Sequence, residues 1–286
     1  MLRRLTASLM ALALTLPVLA TSAGPAKARE PVVPMPGELV LTDAERRLVR
    51  ETMTPNERAV VGPLLEASDR LLLRYTRRLY RVVPVPGGGN RPELLAADRQ
   101  VPGSALVLPE EALASTATKA GTDLYISFTV VRTRSTPPYE WQVFPYAEWR
   151  GWDGINRDNS SADALAVAWA GDAYVHSQKG MGQLTDTWLC GKGPIDIWAS
   201  DGTPNTGTAF SFHETGYLWG CRAWWAAADI RIREDTWQSR TDNLVYKYYH
   251  SFGGLEYSFS FSKSPGVSIT PTREQWALTV FETYRH

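Results

Sequence analysis

The chain has 286 residues, 30 of them basic and 30 acidic, so its formal net charge is zero. That balance carries no electrostatic footprint of a nucleic-acid partner. No Gly-x-Ser-x-Gly element, phosphate-binding loop or paired-cysteine metal spacing occurs anywhere in it, so no single motif fixes an activity.

Residues 1–28 read as a secretory signal peptide. Arg3 and Arg4 form a positive start, Leu5 to Ala20 an apolar run, and Ala26-Lys27-Ala28 a small-x-small cleavage site. The run is shorter than the roughly 20 residues a membrane-spanning helix needs. The expected mature start is Arg29, and the expected location is extracellular or periplasmic. No later apolar run is long enough to span a bilayer as a helix, so no transmembrane segment is expected in the mature chain. Cys190 and Cys221 are the only cysteines. An even count in an oxidising compartment predicts a disulfide between them, worth about 3–4 kcal/mol in the chain-entropy account.

Residues 29–83 read as a Pro-rich lead-in followed by a small helical region. Thr42-Asp43-Ala44-Glu45 has the form of a capping box. Thr54-Pro55-Asn56-Glu57 repeats it with proline at the first helical position. Gly62-Pro63 is expected to interrupt. From Leu64 to Val83, Leu65, Leu72, Tyr75, Leu79 and Val82 share one helical stripe, and Arg70, Arg74, Arg77 and Arg81 another. That arginine stripe suggests a solvated face or a contact with anionic polymer or lipid. Residues 84–121, opening on Pro84 to Asn90, read as a linker and irregular segment.

Residues 122–286 switch to a period of two. Leu124, Ile126, Phe128 and Val130 alternate with their neighbours. Leu255, Tyr257, Phe259 and Phe261 do the same against Glu256, Ser258, Ser260 and Ser262. All eleven tryptophans lie in this region. Repeated short strands with Gly, Asp and Pro turns between them predict a mainly β fold, an antiparallel β-sandwich or a closed barrel.

Several residue sets carry candidate chemistry. His213-Glu214-Thr215-Gly216-Tyr217 lacks the second histidine of a zinc-protease helix. His176, His213 and His250 each end a predicted strand, 37 residues apart. Three imidazoles with an open fourth position would suit a transition metal, with Glu214 or Asp172 as the acid or base of a hydrolase. Asp153, Asp158 and Asp163, in an Asp/Asn/Ser-rich stretch, would suit calcium. No cofactor is required by any of these patterns. Trp224 and Trp225 are adjacent in a predicted strand and so leave opposite faces, and Trp149 and Trp152 form a second pair. An exposed tryptophan suits a sugar ring. The favoured expectation is a binding module for extracellular glycan or cell-envelope polymer. The alternatives are a secreted metal- or carboxylate-dependent hydrolase, and a self-assembling or membrane-active protein using Ser/Thr-aromatic hairpins such as Leu255 to Ile269.

Overall fold

The computed structural model describes residues 31–84, 90–100, 122–150, 162–184, 193–203, 205–213, 223–238, 241–251, 258–262, 266–270 and 275–285. Helices α1 (Asp43–Thr52) and α2 (Pro55–Glu66) come first. Among the described residues thirteen strands follow: β1 (Leu71–Pro84), β2 (Asn90–Gln100), β3 (Thr122–Arg134), β4 (Tyr139–Arg150), β5 (Ala162–Trp169), β6 (Tyr174–Leu184), β7 (Ile197–Thr203), β8 (Gly207–His213), β9 (Ala223–Glu234), β10 (Thr241–Ser251), β11 (Ser258–Ser262), β12 (Gly266–Thr270) and β13 (Gln275–Arg285).

The period-two segments pair into two open antiparallel sheets packed face to face. The first sheet has the order β2-β1-β3-β4-β9-β6, and the second β13-β10-β5-β8-β7. The fold is therefore a β-sandwich and not a closed barrel. Leu124, Ile126, Phe128 and Val130 of β3 face inward, as their alternation predicts. They meet Trp141 and Val143 of β4, Leu165, Val167 and Trp169 of β5, Phe210 and Phe212 of β8, and Tyr246 and Tyr248 of β10. At one edge β6 comes close to the segment around β7. A Cβ built on Gly180 would lie 2.3 Å from Ile197 Cγ2, and one on Gly182 2.5 Å from Ile195 Cδ1. Only glycine permits that approach.

The helices cover the outer face of the first sheet. Thr42 caps α1 with a full capping box: its hydroxyl accepts from Glu45 N–H, and Glu45 Oε2 accepts from Thr42 N–H at 2.7 Å. Thr54 caps α2 by accepting from Glu57 N–H at 3.1 Å. Here the expected box is only half made, because the Glu57 side chain turns into the sheet. Nor do Gly62 and Pro63 end the helix, which continues to Glu66. Val61 and Leu65 pack with Val49 and Met53 onto Leu72, Tyr75, Leu79 and Phe144, and that burial offsets the hydrogen bond Pro63 cannot make.

The helix expected over Leu64–Val83 is corrected. From Leu71 onward it is strand β1, hydrogen-bonded to both β2 and β3. Both faces of β1 are covered: Tyr75 and Leu79 pack under the helices, while Leu73, Tyr80 and Val82 face the sandwich interior. Apolar residues drawn from two buried faces, with a bulge at Leu72/Arg74, reproduce a spacing of three and four. The arginines are not a solvated stripe. Arg77 binds Asp98 at 3.3 Å, Arg81 binds Asp123 at 3.2 Å and Arg70 binds Gln142 at 3.1 Å. The linker assignment of 84–121 fails in the same way for residues 90–100, which form β2 of the same sheet. The β domain therefore begins at β1 rather than at residue 122.

Candidate functional site

The hairpin β11–β12 is a two-stranded sheet of its own. Its register pairs Phe259 with Ile269 and Phe261 with Val267, and Ser258, Ser260 and Ser262 with Thr270, Ser268 and Gly266. Alternation puts Phe259 and Phe261 on one face of β11 and Ser260 on the other. Phe259 and Phe261 lie on the outer face of the second sheet. Ala164, Ala166 and Ala168 of β5, Ala209 of β8, and Val245 and Tyr249 of β10 form the floor beneath them. The Phe259 and Tyr249 rings meet edge to face at 5.7 Å. A Cβ at Gly207 would lie 2.0 Å from Phe261 Cδ1. Four of the floor residues are alanines, with Val245 and Tyr249 beside them, and the hairpin adds the bulk of Phe259 and Phe261. Every second residue of β5 from Ala162 to Ala168 is alanine, which is the sequence signal for a closely covered face.

The sequence-named histidines do not converge. His176 is exposed on β6, at an edge of the first sheet. His213 is one residue beyond Phe212, so the strand pleat turns it to the outer face, where its ring lies 5.1 Å from that of Trp198. His250 is buried inside the sandwich. Among the described residues no group of three or more His, Cys, Asp or Glu is placed to hold a metal ion, so the three-histidine site is corrected. Of the calcium candidates, Asp153 and Asp158 lie outside the described residues. Asp163 points into the core and is occupied by protein partners. Asp172 is exposed in the turn at Gly171, whose φ of 94° needs glycine, and Gln238 Nε2 donates to it at 3.4 Å. Glu214, Trp152, Cys190 and Cys221 lie outside the described residues.

Three residues named for separate reasons do come together. His250 Nδ1 lies 3.0 Å from Asp163 Oδ1, the Tyr248 hydroxyl donates to Asp163 Oδ2, and Trp149 Nε1–H donates to the Tyr248 oxygen at 3.1 Å. All four side chains are buried between the sheets. Trp149 is therefore a core residue, not an exposed ligand contact.

Trp224 and Trp225 are both half-buried. Trp225 lies on the outer face of the first sheet, stacked on Tyr146 at 5.9 Å, and its indole N–H donates to Gln183 Oε1 at 3.2 Å. Glu148 is its cross-strand neighbour on β4. Beside them, under the first turn of α2, lies a cluster that sequence reasoning missed: Glu57, Tyr75, Tyr125, Ser127, Tyr146, Glu148 and Thr54. Its members come from one helix terminus and three strands, and in the sequence Glu57 reads as part of a cap.

No family model matches the chain, and no curated protein matches it. Among solved structures it is similar to Clostridium perfringens delta-toxin, at a TM-score of 0.32 and 7% identity, over 59% of this chain and 86% of that one. At that score the likeness says nothing of fold or function. Among the described residues no helix is long and apolar enough to cross a membrane, which leaves strands untested.

Proposed function

We propose that the chain is exported through its residue 1–28 leader and acts as a self-assembling, membrane-active β protein whose β11–β12 hairpin leaves its seat. One observation carries this: Phe259 and Phe261 alternate with serines along β11, and among the described residues the β11–β12 hairpin shares no strand pairing with either large sheet. Such alternation suits a strand with lipid on one side and water on the other. In the folded chain Phe259 and Phe261 are covered by the alanines with Val245 and Tyr249, Phe261 only in part, and full burial of a Phe side chain is worth about 1.5–3 kcal/mol. Lipid could replace that cover. A lone hairpin in a bilayer would leave both edges unpaired, which hydrocarbon does not tolerate. Several copies must therefore join to close the sheet. The test is dye release from lipid vesicles, with cross-linking to detect oligomers. Wild type should release dye. Phe259→Lys should be at least about tenfold weaker than Ser260→Lys, because a charge on the lipid face costs about 2–4 kcal/mol. No release from zwitterionic or anionic vesicles would sink this reading.

The same export supports a Cys190–Cys221 disulfide. The described residues flanking both cysteines are tied together: Leu184 pairs with Ala223, and its N–H bonds Gly193 O at 2.8 Å.

A second reading is the binding of extracellular glycan or cell-envelope polymer at Trp225. It is supported by a half-buried indole whose N–H bonds Gln183 and whose cross-strand neighbour is Glu148, an apolar plate with polar groups beside it. Trp225→Ala should cost about 0.5–1.5 kcal/mol for the lost stacking on Tyr146, added to the loss of its half-buried apolar area. It should also abolish retention on insoluble polysaccharide or isolated envelopes. Wild type that is not retained on either would end this reading.

A further inference from the structure

We propose that α1 and α2 form a proton-controlled clasp: a proton on the buried Glu57 carboxyl holds the helical pair on the first sheet, and loss of that proton loosens it. Glu57 is fully buried, and Glu148 and Thr54 nearly so. The Tyr125 hydroxyl donates to Glu57 Oε2 at 2.6 Å, the Tyr75 hydroxyl lies 3.2 Å from both carboxyl oxygens, and the Ser127 hydroxyl donates to Oε1. Thr54 ties the turn to Glu148, accepting from the Glu57 backbone N–H and donating to Glu148 Oε2. Tyr146 and Asn56 complete Glu148 at 2.8 and 3.2 Å.

Every one of these partners is neutral. Among the described residues neither carboxyl forms an ion pair. The nearby cations are engaged elsewhere. On β1, Arg77 binds Asp98 and Thr52 O. On β4, Arg150 lies over the Tyr125 ring at 5.3 Å. On α1, Arg46 binds Leu65 O and Arg50 pairs with Glu66. On α2, Arg58 bonds Arg50 O and Glu51 O, which ties the two helices into one unit.

A fully buried carboxyl with only neutral partners, and with a second carboxyl in the same cluster, does not ionise cheaply without a cation. A metal ion would have to displace the donors already on their oxygens, so a proton is the simpler resolution. Burial raises the Glu57 pKa above its ordinary value. The Ser127, Tyr125 and Tyr75 hydroxyls pull it back, and the charge of Glu148 adds to the rise. Burial, with the Glu57 charge, also lifts Tyr75 and Tyr125 well above their usual range, so both stay un-ionised; the protonated carboxyl can then donate to the Tyr75 oxygen, and Tyr75 in turn to Tyr125 at 2.8 Å. A carboxyl whose folded pKa is raised takes up a proton on folding. Its contribution is complete below the unfolded value of about 4.3 and is lost as pH rises through the folded value. The clasp is thus tight in acid and loose above that window. Loosening uncovers Leu72, Tyr75, Leu79 and Phe144.

The test is hydrogen exchange read by mass spectrometry on the full chain between pH 5 and 8, corrected for the intrinsic pH dependence. Peptides from residues 42–67 should lose protection at least tenfold as pH rises, while the inner strands do not, and Glu57→Gln should flatten that dependence. An equal slope in wild type and Glu57→Gln, or no slope in wild type, overturns the proposal. So does calcium restoring protection at pH 8, which would mark a metal site instead. If Glu57→Gln does not fold, infrared difference spectra of wild type decide. They should contain a protonated-carboxyl band at a pH where exposed carboxylates are ionised, and its absence overturns the proposal.

Discussion

Gly207→Val is expected to unseat the β11–β12 hairpin while leaving the sandwich folded. An ideal Cβ at Gly207 would lie 2.0, 2.6 and 2.7 Å from Phe261 Cδ1, Cε1 and Cγ, and real Cβ contacts essentially never fall below 3.0 Å. The backbone cannot retreat, because Gly207 is paired with Ala168 on one side and Thr203 on the other. Its φ lies outside the left-handed region, so the conflict is steric. The ring must move, and the hairpin with it. A seat weakened by about 2 kcal/mol raises the detached fraction roughly thirtyfold. Exchange at residues 258–262 and 266–270 should therefore accelerate by at least tenfold, with the urea midpoint of the sandwich almost unchanged. If the hairpin acts on membranes, the variant should also release vesicle contents at lower protein concentration. Unchanged hairpin exchange would mean that Phe261 is not what holds it.

The sandwich was legible wherever one face of a strand is apolar and the other is not. Leu124 to Val130 and the Phe/Ser alternation of Phe259 to Ser262 have that form, and both are strands. β1 was illegible because helices cover one face and the second sheet covers the other, so a strand with two cores imitates a helix. β2 was hidden by its solvated edge position, where Leu94 and Leu95 are exposed and Pro92 interrupts the pattern. The seat of the hairpin was half legible. The hairpin shows in its own alternation, while the alanines of β5 acquire meaning only once a partner lies on them. The Glu57 cluster left no trace in the sequence. Tyr75, Tyr125, Ser127 and Tyr146 meet Glu57 and Glu148 through pairing between β1, β3 and β4, and such pairing is set by register, not by local pattern.

Register also explains the other buried constellation, and it carries the largest expected loss of stability. Asp163 and His250 were each conspicuous, but as ligands for different metals. The ladder that pairs Ala164 with Tyr249 brings Asp163 and His250 side by side, both facing inward. Trp149 donates to Tyr248, and Tyr248 and His250 direct their polar atoms at one carboxyl group. Asp163→Ala removes the acceptor on which this set converges, and leaves a tyrosine hydroxyl and an imidazole buried without it. Breaking a buried pair by deleting one partner costs about 3–5 kcal/mol, and each orphaned donor accounts for about 1–3 kcal/mol. Urea denaturation should show the unfolding free energy falling by that amount, as a lower midpoint with the slope unchanged. Asp163→Asn keeps the shape and one acceptor oxygen, and should cost less. In a double-mutant cycle, Asp163→Ala and His250→Ala should be coupled by at least about 1 kcal/mol, because the second loss is smaller once the first partner is gone. A loss below about 1 kcal/mol for Asp163→Ala, within the range of ordinary surface changes, would mean that the carboxyl is not the anchor of the group.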